Sequence, residues 1–211
     1  MVKLREEIEY IIHCDEKGEI IGPISKEHAH LKGARQVLTH HSTWCMVFHP
    51  PTGKYGIQLK DIRKHDSTSA GKWDTGVGGH NCYTKQKEKW VPMSFEETVV
   101  KEADEEIGLQ VEVIDSLTEF VKQSKNLKRT IAFIFDKFHH ATEKNNEFVG
   151  FAFILVPTIQ VEFKDNEVID FQWLLPLELK VFIEQNKDQI CEALLCGFER
   201  AEKFRKKYLD N

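Results

Sequence analysis

The stretch that decides the fold is Ser94-Phe-Glu-Glu-Thr-Val-Val-Lys-Glu-Ala-Asp-Glu-Glu-Ile-Gly-Leu109. It predicts a helix, because Ser94 and Glu97 form a capping-box pattern at its start and Gly108 is typical of a helix end. Successive residues of a helix are rotated by roughly 100°. On that geometry three glutamates, Glu102, Glu105 and Glu106, fall within an arc of about 100°, beside a separate apolar stripe. One face of the helix can therefore pack on a sheet while the neighbouring face presents three carboxylates.

Three carboxylates on one helix face need a physical explanation. Like charges three or four residues apart destabilise an isolated helix by roughly 0.2–0.5 kcal/mol per pair. A hard divalent cation offsets this repulsion, and Mg²⁺ typically binds a few carboxylates together with substrate phosphates. The spacing therefore favours a Mg²⁺ site, with Mn²⁺ as a second candidate. A solvated acidic face is the alternative that the helix alone leaves open.

Composition limits the class of protein. With 211 residues, 41% hydrophobic and 30% charged, the chain is typical of a globular protein and can bury a core without disulfides or a structural metal. A net charge of −5 argues against a nucleic-acid polymer as partner. Five cysteines without Cys-x-x-Cys spacing, a charged N-terminus and no long apolar run predict a reduced, cytoplasmic protein without a membrane partner.

The hydrophobic pattern outside the helix alternates between strands and helices without a regular βαβ repeat, which favours a mixed sheet flanked by helices. Strands are expected at 5–12, 19–21, 43–49, 55–59, 110–114, 128–138, 148–156, 159–163 and 168–174, and further helices at 177–185 and 188–208. Residues 60–89 are expected to form a long functional loop. We predict one domain over 1–211, with a core at about 35–185, an N-terminal hairpin at 5–24 and a C-terminal helical extension. The apolar stripe of the last helix is expected to pack on the domain or on a second copy, which would give a homodimer.

Gly78-Gly79-His80, followed by a loop and by Lys101-Glu-Ala-Asp-Glu-Glu-Ile-Gly-Leu109, resembles the Nudix box, G-x5-E-x7-R-E-U-x-E-E-x-G-U, where U is aliphatic. Gly79 matches its first glycine, and the three glutamates match its last three acidic positions. The resemblance implies a Nudix-type α/β/α sandwich and a divalent metal, Mg²⁺ or Mn²⁺, held by Glu102, Glu105 and Glu106.

The match to this motif has three departures. Met93 stands where the motif has its first Glu, Lys101 stands where it has Arg, and eight residues are inserted between Gly79 and Met93. In the family the first Glu and the Arg are expected to brace each other as a structural ion pair. Because both have changed here, no carboxylate is left without its partner. The insertion from His80 to Pro92 is expected to shape the substrate pocket.

Further segments are similar to the Nudix subgroup built like isopentenyl-diphosphate isomerase. They are Glu19 to Lys26, His40 to Thr43, Gln58 to Lys64, Lys72 to His80 and Glu167 to Trp173, so the resemblance covers about residues 5–185. The isomerase carries a catalytic Cys where Gly78 stands, and glycine cannot supply the acid or base that isomerisation needs.

The resemblance therefore implies metal-dependent hydrolysis of a diphosphate linkage in a nucleoside or other organic diphosphate. In that reading Glu105 or Glu106 also serves catalysis, with Glu143 and Glu147 as further candidates for the general base. An isomerase-like enzyme and a Nudix-fold binding module that cleaves nothing are the alternatives.

The remaining site residues are expected at the substrate. Lys60 and Lys64 match basic positions of the subgroup and are expected to contact the diphosphate as point charges. His40 and His80 match its histidine positions, and with Gly79 they complete the expected substrate-binding set. No histidine metal site is predicted, because only His30 lies near a metal-ligand position of the isomerase.

Overall fold

A computed structural model describes residues 4–63 and 69–210. Its strands are β1 Tyr10–Cys14, β2 Ile20–Ser25, β3 His40–His49, β4 Lys54–Lys60, β5 Trp73–Asp74, β6 Val77–His80, β7 Tyr83–Gln86, β8 Lys89–Pro92, β9 Glu112–Val113, β10 Ile131–Ala141, β11 Asn146–Leu155 and β12 Val168–Leu174. Its helices are α1 Lys26–Ala29, α2 Phe95–Ile107, α3 Leu117–Ser124, α4 Pro176–Gln185 and α5 Glu192–Tyr208. The predicted site residue Lys64 lies outside the described residues.

Within the described residues, ten strands form one curled mixed sheet with the central order β12-β4-β3-β11-β10-β9. The pairs β3–β11 and β9–β10 are parallel, and β10–β11, β3–β4 and β4–β12 are antiparallel. β6 also pairs with β3, opposite the start of that strand. This pairing brings the glycine-rich segment Val77–His80 to the middle of the sheet, beside α2.

The sheet lies between two helical layers. Alternate residues of β11 point to opposite faces, so Phe151 and Phe153 pack under α3 and α5 while Ala152 and Ile154 pack under α2. The apolar stripe of α2, which includes Val99, Ala103 and Ile107, is fully buried on its side. The predicted α/β sandwich is therefore confirmed.

Helix α2 has the predicted ends. Ser94 Oγ accepts a hydrogen bond from the Glu97 backbone N–H, and Glu97 Oε2 accepts one from the Ser94 N–H at 2.8 Å. Gly108 ends the helix with a positive φ of 69°, a conformation that glycine adopts without a steric penalty. This geometry holds Glu102 and Glu106 against the glycines of β6.

We expect Ser94→Ala to lower the free energy of unfolding by about 1 kcal/mol, because the Glu97 backbone N–H at the start of α2 loses its acceptor, Ser94 Oγ. Urea denaturation monitored by circular dichroism measures the change. Ser124→Ala is a suitable control, since that hydroxyl donates to the Val121 carbonyl inside α3 and caps no helix start. Equal stabilities of Ser94→Ala and the wild type would contradict the expectation.

Several predicted elements differ in the structure. Residues 159–163 form no strand, and the Glu162 N–H donates instead to the Ile107 carbonyl at the end of α2, at 3.1 Å. Of the predicted strand 110–114, only residues 112–113 pair with β10. Helix α3 was not predicted; Phe120 is fully buried and anchors it. The described part of the 60–89 segment contains three short strands, β5 to β7, and the first residue of β8, rather than a plain loop. The hairpins β1–β2, β3–β4 and β10–β11 agree with the sequence pattern.

The C-terminal helix α5 packs on its own chain. Leu194, Phe198, Ala201 and Phe204 are buried in the main core, and Tyr55 Oη donates to Glu202 at 2.8 Å. Because this stripe is buried within its own chain, it gives no argument for the predicted homodimer. All five cysteines are free thiols. Among the described residues, no helix is both long and apolar enough to cross a membrane.

Candidate active site

The three glutamates of α2 differ strongly in exposure. The side chain of Glu105 is 51% exposed, that of Glu102 12% and that of Glu106 1%. Lys101 Nζ bonds Glu102 Oε1 at 2.8 Å and Glu105 Oε2 at 2.7 Å. The lysine that replaces the motif's arginine thus bridges two of the carboxylates. Burial lowers the pKa of Lys101, but the nearby Glu102 and Glu105 carboxylates outweigh burial and raise it.

Glu106 is enclosed by three hydrogen-bond donors. Its Oε1 receives the ammonium of Lys60, and its Oε2 accepts from Gln58 Nε2 at 3.1 Å and from the Gly78 backbone N–H at 3.0 Å. A carboxylate has about four lone-pair sites, so one remains beyond these three contacts. Glu106 therefore ties the end of β4 and the glycine-rich β6 to the helix.

Glu102 lies against Gly79. A Cβ at Gly79 would be 2.4 Å from Glu102 Cδ, closer than side chains tolerate, so the matching glycine of the motif makes room for this carboxylate. Burial first, and then the nearby Glu106, raise the pKa of Glu102 to about 7. The carboxylates of Glu102 and Glu106, held close together on α2, are a donor set that a hard cation fits.

Three histidines, His30, His40 and His80, converge beside the glycine-rich strand. Their potential ligand atoms all lie within 4.8 Å of one another. His30 Nδ1 and His40 Nε2 are buried, and neither has a hydrogen-bond partner among the described residues. Burial, followed by the charge of Arg35, lowers the pKa of His30 to about 4, so this ring is neutral near pH 7.

The histidine cluster was missed by the sequence analysis, which expected no histidine metal site. It forms because β3 and β6 pair with Ser42 opposite His80, and because the turn after α1 brings His30 over both strands. Glu147 Oε1 lies 3.7 Å from His40 Nε2, since β11 runs beside β3 with these two residues paired. Three imidazole nitrogens suit a transition-metal cation.

A cavity of about 570 Å³ joins these groups. Six of the predicted site residues line it, namely Lys60, Gly79, His80, Glu102, Glu105 and Glu147. His40 and Glu106 lie directly behind this wall. Glu143 does not line the cavity; it lies in the β10–β11 turn, where its carbonyl accepts a hydrogen bond from Gln36 at 3.0 Å. Of the two further candidates for a base, only Glu147 faces the cavity.

Apart from His80, the inserted segment does not line the cavity as expected. Its residues form the β7–β8 hairpin, and none of Tyr83–Pro92 lines the cavity. The hairpin packs instead on the N-terminal segment, where Trp90 meets Tyr10 edge to face at 5.9 Å and Lys85 pairs with Glu6. Apolar and charged contacts to a neighbouring segment thus use the side chains that could otherwise reach a substrate.

No protein-family model and no curated protein matches the sequence of this chain. DR0079 from Deinococcus radiodurans superposes with a TM-score of 0.60 at 16% identity, over 91% of this chain and 98% of the other. The MutT protein from Methanosarcina mazei Go1 gives 0.51 at 17% identity, over 78% and 94%. An Ap4A hydrolase from C. elegans gives 0.50 at 9% identity, over 80% and 98%.

These similarities extend over nearly the whole of each solved structure. At such low identities they define the architecture rather than the chemistry. The chain has the Nudix fold, with its glycine-rich strand and carboxylate helix at the wall of one cavity.

Proposed function

We propose that this protein hydrolyses a diphosphate linkage in a nucleoside or other organic diphosphate, using Mg²⁺, or Mn²⁺ in its place. One observation carries the proposal: Glu102 and Glu105 face a common cavity, next to the backbone of Gly79. Glu106, with one lone-pair site left, is the third candidate ligand. A cation bound by these carboxylates would shield phosphate charge and lower the pKa of an attacking water.

The residues of the chain itself would position the substrate. Lys60 and His80 line the cavity and are proposed to approach the diphosphate, with His40 and the predicted Lys64 in support. Glu147 is proposed as the general base, because it faces the cavity and its neighbours His40 and Ser42 outweigh burial and lower its pKa. A carboxylate that is ionised at neutral pH can accept the proton of an attacking water.

The histidine cluster supports a second cation in the same cavity. A site with three imidazole nitrogens prefers Zn²⁺, Co²⁺ or Mn²⁺ over Mg²⁺, because Mg²⁺ favours oxygen ligands. The two buried nitrogens without partners, on His30 and His40, fit such an ion, since each would otherwise remain an unsatisfied polar group.

His80→Ala is expected to weaken Zn²⁺ binding about tenfold or more, because one of three clustered nitrogens is lost. Isothermal titration calorimetry with Zn²⁺ in the presence of millimolar Mg²⁺ measures the affinity. His28→Ala is the matched control, since His28 is exposed on α1 and lies outside the cluster. Equal Zn²⁺ affinity of His80→Ala and His28→Ala would remove the second cation from the proposal.

Gly79→Ala is expected to lower turnover at least about tenfold, because the added methyl group displaces the Glu102 carboxylate. The neighbouring Gly78→Ala is the control. A Cβ there meets the Thr43 carbonyl at 3.4 Å, which is ordinary contact, and the Gly78 N–H can still donate to Glu106. Rates measured under identical metal concentrations should separate the two variants. Equal rates would show that Glu102 does not need its present position.

The test of the proposal is a phosphate-release screen over a panel of organic diphosphates, with the protein stripped by chelator and then reloaded with Mg²⁺ or Mn²⁺. Hydrolysis that returns with the cation supports the proposal. Folded, metal-loaded protein without activity on any compound would reject hydrolysis and favour the binding-module alternative. Ligands of such a module would raise its melting temperature.

An isomerase acting on isoprenoid diphosphates is the second candidate. The convergence of His30, His40 and His80 favours it, since two of these match histidine positions of that subgroup. Gly78 opposes it, because the position of the catalytic Cys carries no side chain. Cys82, four residues on, does not line the cavity, and its thiol contacts Glu9 and the His80 carbonyl. We expect no interconversion of isoprenoid diphosphate isomers in an NMR assay.

A further inference from the structure

The first residues of α5 line one part of the cavity, which we term the inner end, and they lie far along the chain from the Nudix motif. Cys191, Glu192 and Ala193 line it. The segment is held there by backbone contacts, because the Cys191 N–H donates to the Trp73 carbonyl at 2.9 Å and Ile190 bridges to the same strand β5. The C-terminal helix is therefore part of the cavity wall, and no contact among the carboxylates of α2 requires it.

This inner end presents hydrogen-bond acceptors. The Glu192 carboxylate accepts from Thr142 Oγ at 3.1 Å and keeps 37% of its side-chain surface exposed. Asn145 also lines the cavity, and its Oδ1 has no hydrogen-bond partner in the described part of the chain. Asp74, at the base, accepts from the Thr75 backbone N–H at 2.7 Å and from the Cys191 thiol at 2.6 Å.

Trp44 supplies an apolar surface beside these acceptors. Its ring lines the cavity and is held edge to face by His140 at 5.1 Å and by Phe138 at 5.7 Å. His140 Nε2 in turn lies 3.7 Å from Glu192, so the ring and the carboxylate belong to one packed group. A flat aromatic face next to a row of acceptors is suited to a group with one apolar side and several N–H or O–H donors.

The nearby cation does not reverse this pattern. Of the cations that line the cavity, Lys60 lies near Asp74, but its ammonium is bonded to Glu106. Lys101 is bonded to Glu102 and Glu105, Lys26 is paired with Glu9, and Arg35 lies near His30. A diphosphate beside Glu192 would face its carboxylate, whereas a cation held by the carboxylates of α2 would attract the phosphates to that helix. A hydrocarbon group here would cover Asn145 Oδ1 and the carboxylates without offering donors, which costs the desolvation of each acceptor.

We propose that the inner end formed by Glu192, Asn145 and Trp44 selects the organic group of the substrate, and that this group carries hydroxyl or amino donors rather than an isoprenoid chain. The inference rests on the proposed diphosphate chemistry at α2 and adds the specificity of a second part of the same cavity. Glu192 and Asn145 are specificity-determining residues, since they touch the organic group and not the linkage that breaks.

Three synthetic diphosphates of matched length test the proposal: pentyl, 4,5-dihydroxypentyl and 5-aminopentyl diphosphate. The better polar compound is expected to exceed the pentyl compound in kcat/KM by at least about 100-fold, because buried acceptors reject an analogue that lacks their donors. Glu192→Ala should raise KM for that compound about tenfold and change kcat little. Glu199→Ala, on an exposed part of α5 away from this cavity, should change neither constant.

Glu192→Gln separates the two donor classes. The amide oxygen still accepts from a hydroxyl group, so KM for the dihydroxypentyl compound should stay near the wild-type value. The lost charge should raise KM for the aminopentyl compound about tenfold, because hydrogen bonds between charged groups are the stronger ones. Equal kcat/KM for the pentyl and polar compounds, or an unchanged KM in Glu192→Ala, would overturn the specificity proposal while leaving hydrolysis itself intact.

Failure of the proposed hydrolysis has a different outcome. If none of the three compounds is cleaved, calorimetric titration of the Ca²⁺-loaded protein with the same compounds decides the specificity. Binding of a polar compound at least about tenfold tighter than the pentyl compound would support the acceptor site in a protein that only binds. Equal affinities, or no binding of either polar compound, would overturn it.

Discussion

Glu105→Gln is expected to lower turnover of the best substrate by about 100-fold or more, which corresponds to about 2.7 kcal/mol of lost transition-state stabilisation. The glutamine keeps the size of the side chain and one carbonyl oxygen but loses the charge that a divalent cation requires. Glu105 lines the cavity and is the most exposed of the three carboxylates, so its oxygens are the most accessible to a cation. Its partner Lys101 keeps its bond to Glu102 in the variant.

The fold of this variant should be unchanged. Among the described residues, the Glu105 side chain pairs with Lys101 at i,i+4, which is worth about 0.3–0.5 kcal/mol on an exposed helix face, and its charge opposes that of Glu102. Glu96→Gln is the matched control, because Glu96 lies in the first turn of α2, outside both the cavity and the capping box. Wild-type turnover in folded Glu105→Gln would falsify its assignment as a metal ligand. Equal losses in both variants would indicate a general effect of helix charge.

The features that were predicted correctly depend on interactions between residues close together in the sequence. The capping box at Ser94, the stop at Gly108 and the 3.6-residue period placed α2 and its three glutamates correctly. The helical period also predicts a shared face, but not how deeply each member is buried. Glu106 is almost fully enclosed while Glu105 is half exposed, because Lys60 arrives from β4, more than forty residues earlier.

The parts of the site that could not be predicted depend on strand register. His30, His40 and His80 come from a turn and two different strands, and they meet only because β3 pairs with β6 in one particular alignment. No periodic pattern in the chain encodes that alignment. The contribution of α5 depends in the same way on a bridge between Trp73 and Ile190. Pairing between distant segments, not residue type, therefore separates the predicted part of the site from the missed part.

Lys60→Met is expected to lower the free energy of unfolding by about 3–5 kcal/mol, the usual cost of removing one partner of a buried ion pair. Lys60 is almost fully buried, and it is the cation that faces two buried carboxylates, Glu106 and Asp74. Burial lowers the pKa of Lys60, but the two carboxylates outweigh it and raise the value, so the lysine stays charged. Methionine matches its length and leaves Glu106 with only Gln58 and the Gly78 N–H as donors.

The second carboxylate, Asp74, makes the double-mutant cycle of Lys60 and Glu106 asymmetric. Glu106→Gln should cost less, about 1–3 kcal/mol, because Lys60 still has the attraction of Asp74. The double variant Lys60→Met/Glu106→Gln should be more stable than Lys60→Met alone, with a coupling of about 1–3 kcal/mol, since no charge at Glu106 is left unpaired.

Urea denaturation of the four proteins gives this coupling, and Lys54→Met at the other end of β4 is the control. A loss below about 1 kcal/mol in Lys60→Met, or additive effects in the double variant, would mean that Glu106 is held by its neutral donors.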